Sequence, residues 1–304
     1  MENKIKNVSR ETNKGEITMN FKKEELVKSP LNYVGGKHKL LPQLLPLFPN
    51  NINIFMDMFT GGCNVGINVK ANKIICNDLE LSVINLFKEW QQLNSNDALN
   101  ILKETISKYE LTKENEKGFK QIRTDYNNGN KSWDMFYAMI TNAFNYEIRF
   151  NKQGEYNVAF GRNRSNFNSS LEKNFIKFIN KLHELNIIFL NSDFRKLDIS
   201  QLGENDFVYC DPPYLITCAS YNEFKGWNNI LESELLNLLD ELNSKGVKFG
   251  LSNVLENKGK CNVILKEWSK KYNVNYLNNS YGNCNYHAKD KTKNTTIEVF
   301  ITNY

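Results

Sequence analysis

The residues best suited to chemistry lie in the run DFVYCDPPYLIT, Asp206 to Thr217. Phe207, Val208, Tyr209 and Cys210 form a short apolar run of β-prone residues, which predicts a buried strand. Asp211 follows directly, where the carboxyl end of a strand in an open α/β sheet faces a crevice. Pro212 and Pro213 stop strand and helix alike and offer no backbone N–H, so the carbonyl oxygens here are free to accept from something else. Tyr214 adds a flat aromatic face. A carboxylate, a carbonyl and a ring at one strand end can hold a planar amine by its edge and its face, as a nucleobase with an exocyclic NH2 presents it. The alternative is a rigid turn whose Asp caps backbone and whose Tyr is packed.

Two glycine turns supply further candidates. In SPLNYVGGKHKLLPQLLPLFP, Gly35 and Gly36 allow a tight turn and close approach of a ligand to the backbone, flanked by Tyr33 and Lys37, with an apolar helical stretch from Leu40. An aromatic and a lysine around such a turn can hold a small zwitterion. In INIFMDMFTGGCNVGINV, Ile52 to Val69, an apolar strand runs into Gly61-Gly62, with Gly66 one helical turn on. This reads as strand, glycine turn, helix, but is not the G-x-G-x-x-G dinucleotide fingerprint. Asp57 stands near the strand end, where it suits an ammonium group and would repel a pyrophosphate. That points to S-adenosylmethionine rather than a nicotinamide cofactor. A second strand, Lys73 to Cys76, ends at Asn77-Asp78, and an acid there bonds ribose hydroxyls or caps the helix that begins near Leu81.

These groups need a frame. Apolar residues recur at helical spacing from Leu81 to Leu93 and from Leu171 to Leu185. NIIFL reads as a strand leading to Ser192-Asp193, and Asp193 joins the cofactor candidates. Leu231–Leu242 and Val263–Tyr272 read as helices, and GVKFGLSNV and TTIEVFIT as strands. Strands alternating with helices give an α/β, doubly wound Rossmann-like sheet. From about Asn94 to Leu185 the pattern is mainly helical and strand-poor. There aromatics, asparagines and arginines interleave: Phe144, Asn145, Arg149, Asn151, Arg162, Asn163 and Arg164. Arg reads guanine bidentately, Asn suits adenine edges or phosphates, and an aromatic can wedge into a base stack. A helical subdomain with packed rings and solvated arginines is the plainer alternative. The expected organisation is a flexible extension over 1–27, a cofactor-binding domain over 28–93 and 186–304, and an inserted helical recognition domain over 94–185. The run Asn278 to Asn294, with His287, Lys289, Lys291 and Lys293, is expected to be a loop that touches phosphates or is simply solvated.

Composition sets outer bounds. The 304 residues carry a formal charge of +5, compatible with a nucleic-acid partner. The six cysteines, at 63, 76, 210, 218, 261 and 284, form no C-x-x-C pair and do not cluster with the three histidines, so no metal site is expected. No signal peptide or long apolar span stands out, and a reducing cytoplasm is the expected setting.

The ordered motifs LNYVGGK, MDMFTGGCNVGINV, CNDLE, IRFNKQGEYNVAFG, DFVYCDPPYLIT, GVKFGLSNVLE and EVFITNY resemble the Dam-type DNA adenine methyltransferases, the α group of amino-methyltransferases, in particular phage-encoded members. They span about residues 29 to 304. The resemblance implies that Tyr33, Lys37, Asp57, Asp78 and Asp211 line an S-adenosylmethionine site. It implies that Asp211 and the Pro212 carbonyl bind the target amine and that Tyr214 stacks on a flipped adenine. It implies that Phe144 and Asn145 fill or flank the gap the base leaves, and that Arg149 reads a guanine of GATC in double-stranded DNA. Two positions depart from the family: Ala159 where many members have Pro, and Asn32 where cellular members have a Lys that contacts an outer base pair. These departures bear on outer-base readout rather than on chemistry. A monomer in solution is implied, with dimerisation on DNA left open. Three rivals stand beside this: an N4-cytosine or RNA adenine methyltransferase, a DNA-binding protein with a vestigial cofactor fold, and an NAD-dependent oxidoreductase, the last disfavoured by the missing fingerprint.

Overall fold

The computed structural model describes residues 25–33, 35–217, 226–278 and 296–304. The extension expected over 1–27 falls almost wholly outside them, as does most of the loop expected over 278–294. The strands are β1 (Ile54–Asp57), β2 (Lys73–Asn77), β3 (Ile187–Leu190), β4 (Phe207–Cys210), β5 (Lys248–Asn257), β6 (Lys260–Cys261), β7 (Asn273–Leu277) and β8 (Thr296–Thr302). They form one sheet in the order β3-β2-β1-β4-β5-β8-β7, with β6 on β5. The first five positions pair in parallel, and β8 and β7 run antiparallel. The central strands are short and apolar because they are covered on both faces: all four residues of β4 are buried. Strand order reverses between β1 and β4, so the carboxyl ends of those two strands flank the crevice where ligands bind in open α/β sheets.

The helices are α1 (Leu41–Leu44), α2 (Leu81–Gln92), α3 (Ser95–Lys108), α4 (Glu116–Asn127), α5 (Trp133–Asn142), α6 (Ser169–Glu184), α7 (Asn229–Ser244) and α8 (Val263–Trp268). Asparagine side chains start five of them: Asn94, Asn115, Asn168, Asn228 and Asn262 each accept a first-turn N–H. On one sheet face Phe55, Ile74 and Tyr209 pack with α1 to α6; on the other Met56, Val208 and Cys210 pack with α7 and α8. Neighbouring residues of one strand thus serve opposite layers, as the two-residue period requires. The helical stretch 94–185 shares its core with the sheet. Phe87 of α2 meets Phe178 of α6 at 5.5 Å and Phe189 of β3 at 5.0 Å between ring centroids. Trp90 contacts Tyr137 of α5 and Phe175 edge-on.

Three local expectations change. No helix follows Gly61-Gly62; residues 58–68 form successive turns. Cys63 takes a positive φ of 59°, and the Asn68 side chain bonds both the N–H and the carbonyl of Val27, so the segment wraps residues 27–29 instead of continuing as a helix. The apolar stretch from Leu40 is broken by its prolines into the single turn α1 and a 3-10 turn, Leu45–Leu47. Asn273–Leu277, beyond the expected helix, is a strand; its alternating polar residues fit an edge position.

Candidate active site

The crevice between β1 and β4 collects what the sequence scattered. Asp57 ends β1 and pairs in register with Tyr209 of β4, two residues before Asp211. Asn77, at the end of β2, ties the neighbouring strand ends together by donating to the carbonyls of Met58 and Ser192 and accepting the Ser192 N–H. Asp78 follows it. One oxygen of Asp78 accepts the Gly61 N–H at 2.8 Å and the other the Glu80 N–H at 2.9 Å. Asp78 therefore pins the glycine turn and also opens α2 from outside. Gly61 has φ +48°, and a Cβ there or at Gly62 would stand 3.0–3.1 Å from Tyr33. The turn needs glycine to lie flat against that ring.

Lys37 is buried directly after the Gly35-Gly36 turn. Its Nζ donates to the Gly35 carbonyl at 2.9 Å and stands 2.8 Å from Oδ2 of Asp211. Gly35 reaches this conformation with φ +80°. The ammonium also lies 3.8 Å from Glu298 and 5.0 Å from the centre of the Tyr214 ring. The Tyr214 hydroxyl donates towards Oδ1 of Asp211 at 2.9 Å and towards Oε1 of Glu298 at 3.2 Å. Asp211 is thus engaged at both oxygens. Pro212 is buried and Pro213 exposed, and among the described residues nothing donates to the Pro212 carbonyl.

The electrostatics are acidic. Asp57 is 1% exposed; Oδ2 accepts from Thr60, and Oδ1 is buried without a partner. Burial, reinforced by the nearby Asp211 charge, pushes the Asp57 carboxyl well above the usual carboxylate range. Burial also raises Asp211, against the pull of Lys37, and raises Asp78, against its backbone N–H donors. An orphaned buried carboxylate oxygen beside a glycine cradle fits a cofactor that carries an ammonium group and a net positive charge. It does not fit a pyrophosphate. The residues present therefore fit S-adenosylmethionine. Among the described residues no cluster of His, Cys, Asp and Glu could hold a metal ion.

The remaining candidates lie elsewhere or do local work. Asp193 caps the 3-10 turn Phe194–Lys196 and is gripped by Arg195 at 2.6 and 2.9 Å, which holds its carboxyl below the usual range. Phe144, Asn145, Arg162, Asn163 and Arg164 are all exposed, the first two directly after α5. Asn145 and Tyr146 both have positive φ, 54° and 57°, which makes a projecting turn, and Asn32 Nδ2 donates to the Asn145 carbonyl at 3.0 Å. Phe144 is 40% exposed, with the Arg164 guanidinium 5.5 Å from its ring centre. Gly161 lies behind them, where a Cβ would collide with Ser165 at 2.5 Å and the Ala143 carbonyl at 2.7 Å. Arg149 is held by Asn157 at 2.9 Å and Arg162 by Glu116. Asn151 closes its own turn by accepting the N–H groups of Gln153 and Glu155. Reading the sequence missed Glu298. Its signal was a lone carboxylate in an otherwise apolar strand, TIEVFIT.

Residues 33–295 match the family model of the D12 class N6 adenine-specific DNA methyltransferases. Among curated proteins the chain is 50% identical over 287 residues to the Type II methyltransferase M.FokI of Planomicrobium okeanokoites, covering 93% of this chain and 44% of that one. It is 46% identical over 287 residues to the modification methylase StsI of Streptococcus sanguinis, covering 92% and 43%. To the DNA N-6-adenine-methyltransferase of Escherichia phage P1 it is 24% identical over 239 residues, covering 75% and 30%. The phage-type likeness is thus the more distant one, and the chain spans less than half the length of all three relatives. With its match running through both glycine turns, the Asp-Pro-Pro-Tyr strand end and the helical segment between them, the chain belongs to the D12 class N6 adenine-specific DNA methyltransferases.

Proposed function

We propose that this chain transfers a methyl group from S-adenosylmethionine to N6 of an adenine in duplex DNA, as the adenine-modifying half of a Type II modification system. The observation that carries the reading is the convergence of Asp57, Asp211 and Lys37 at the β1–β4 switch point beside two glycine turns. Bound there, S-adenosylmethionine supplies an electrophilic methyl group on a cationic sulfur. Asp57 binds its ammonium group, Asp78 its ribose hydroxyls, and Tyr33, with Gly35, Gly36, Gly61 and Gly62, lines the cradle.

Adenine N6 is a poor nucleophile because its lone pair is delocalised into the ring. Asp211 and the Pro212 carbonyl accept its two N–H groups, which lets the nitrogen pyramidalise and localises the lone pair. The raised proton affinity of Asp211 suits it to take the proton the amine sheds. Catalysis is then positioning and charge placement, with no covalent enzyme intermediate. A duplex adenine reaches such a pocket only when flipped out of its stack. Tyr214 offers the ring it stacks on, and the projecting Phe144–Tyr146 turn fills the gap. The segment 94–185 serves as the recognition part, with Arg149, Asn151, Arg162, Asn163 and Arg164 facing DNA. The target context carried over from the resemblance is GATC.

The test is methyl incorporation from labelled S-adenosylmethionine into unmethylated plasmid, with the modified base and its context read out. N6-methyladenine in GATC supports every part of the proposal. N6-methyladenine elsewhere keeps the chemistry and removes the inherited specificity. DNA binding without incorporation refutes the catalytic reading.

A further inference from the structure

Glu298 is a costly residue where it stands. It sits on β8 between β5 and β7, opposite Val254 and Leu277, and is followed by Val299, Phe300 and Ile301, all fully buried. The side chain is itself 2% exposed. A carboxylate in such surroundings is tolerated only with cations or donors against it, and packing alone would favour an apolar residue. Its partners include the two groups that also hold Asp211, the Lys37 ammonium and the Tyr214 hydroxyl.

The Tyr214 hydroxyl has one proton and two acceptors within reach, Oδ1 of Asp211 at 2.9 Å and Oε1 of Glu298 at 3.2 Å. A phenol can donate to only one of them fully. Asp211 already accepts from Lys37 at Oδ2. Each donor it holds reduces the negative charge it offers to another. An incoming amine therefore competes with Tyr214 for Asp211. A second acceptor on the far side of the hydroxyl removes that competition without moving the ring.

The geometry points to Glu298 as a positioning residue: it takes over the Tyr214 hydroxyl when a substrate amine engages Asp211, so that the carboxylate is released while the ring stays in place. This rests on the reading of Asp211 as the amine acceptor. Glu298 touches neither reactant and acts through Tyr214 and Lys37. No proton is lost or gained in the exchange; the hydroxyl rotates from one acceptor to the other.

The experiment compares Glu298→Ala, Glu298→Gln, Tyr214→Phe and the double variant Glu298→Ala/Tyr214→Phe, each checked for folding and for binding of S-adenosylmethionine by equilibrium dialysis. Glu298→Ala is expected to lower kcat about ten- to a hundredfold, the scale of one charge-assisted hydrogen bond, with the KM for DNA little changed. Glu298→Gln, whose amide oxygen still accepts from the hydroxyl, should fall less. In the Glu298→Ala background, Tyr214→Phe should recover several-fold of the lost rate, because it removes the group that competes for Asp211. A purely structural role predicts that the two losses add, and additive losses, or a Glu298→Ala variant with unchanged kcat, overturn the proposal. A crystal structure of Glu298→Ala without DNA gives a reading that needs no turnover, and serves equally if the Ala variant transfers nothing. The Tyr214 hydroxyl should remain on Asp211, and a hydroxyl turned away from Asp211 overturns the assignment. Wild-type chain that folds but transfers no methyl group refutes the proposed function and the assignment with it, whereas an active wild type beside a Glu298→Ala variant of unchanged kcat refutes the assignment alone.

Discussion

Asp57 should make the protein less stable in the absence of its cofactor. One carboxylate oxygen is buried without a partner, the other accepts from the Thr60 hydroxyl, and Asp211 repels it. Replacing it by Asn keeps the shape and removes the charge. A buried polar group without its partner costs about 1–3 kcal/mol, more when charged. Asn leaves a neutral polar group in the same place, so Asp57→Asn removes only what the charge adds and should stabilise the free chain by about 1 kcal/mol or somewhat more at neutral pH. At roughly 2–4 °C per kcal/mol for a domain of a couple of hundred residues, that is a few degrees in Tm. The pH dependence has a definite sign. The folded-state pKa is raised, so Asp57 contributes most favourably below its unfolded pKa, and that contribution is lost as pH rises towards the folded value. The advantage of the variant should thus be small near pH 4 and grow as pH rises. S-adenosylmethionine should reverse the order. A ligand at a hundred times its Kd stabilises the protein that binds it by about 2.7 kcal/mol, and the variant forgoes this because Asn cannot pair with the ammonium group. The assay is thermal unfolding of both proteins between pH 4 and 8, with and without S-adenosylmethionine. A variant that melts below wild type without ligand, or a difference that does not vary with pH, refutes the picture of an uncompensated buried charge.

Other perturbations probe other links. Asp211→Ala should abolish transfer and leave DNA binding largely intact, read by labelled incorporation beside a gel-shift titration; substantial remaining turnover refutes the amine-acceptor role. Arg149→Ala should weaken binding to the recognised sequence by about 1–3 kcal/mol while changing binding to random DNA little. Equal losses on both would make Arg149 a phosphate contact. Gly250→Ala should destabilise the sheet, since a Cβ there would stand 2.3 Å from the Phe300 ring and 3.0 Å from Phe207. Overpacking of this kind costs about 1–3 kcal/mol, and denaturant midpoints on the two chains check it.

What the sequence made legible was local. The four-residue run before Asp211 announces a strand covered on both faces because nothing in it is polar, and the prolines after it state where the strand stops. The glycine turns could be placed for the same reason: φ values of +80° at Gly35 and +48° at Gly61 are positions that side chains avoid. The helices α2, α6 and α7 followed from periodicity and lie within a few residues of expectation. The misses have separate causes. The helix expected after Gly61-Gly62 was lost to asparagines that spend their hydrogen bonds on residues 27–29, a contact across 41 positions that no local window contains. The strand Asn273–Leu277 hid because an edge strand carries few apolar residues.

Glu298 is the most instructive case. The cost of its charge was visible, since it stands among Val, Phe and Ile in a strand with no polar alternation. Its purpose was not. Lys37 precedes it by 261 positions and Tyr214 by 84, and they meet it only because the sheet inserts its last strand between β5 and β7 rather than adding it at an edge. A carboxylate that no local pattern explains in a buried strand is therefore a prediction in itself. Somewhere in the fold a cation or a hydroxyl must be waiting for it, and the strand order decides which.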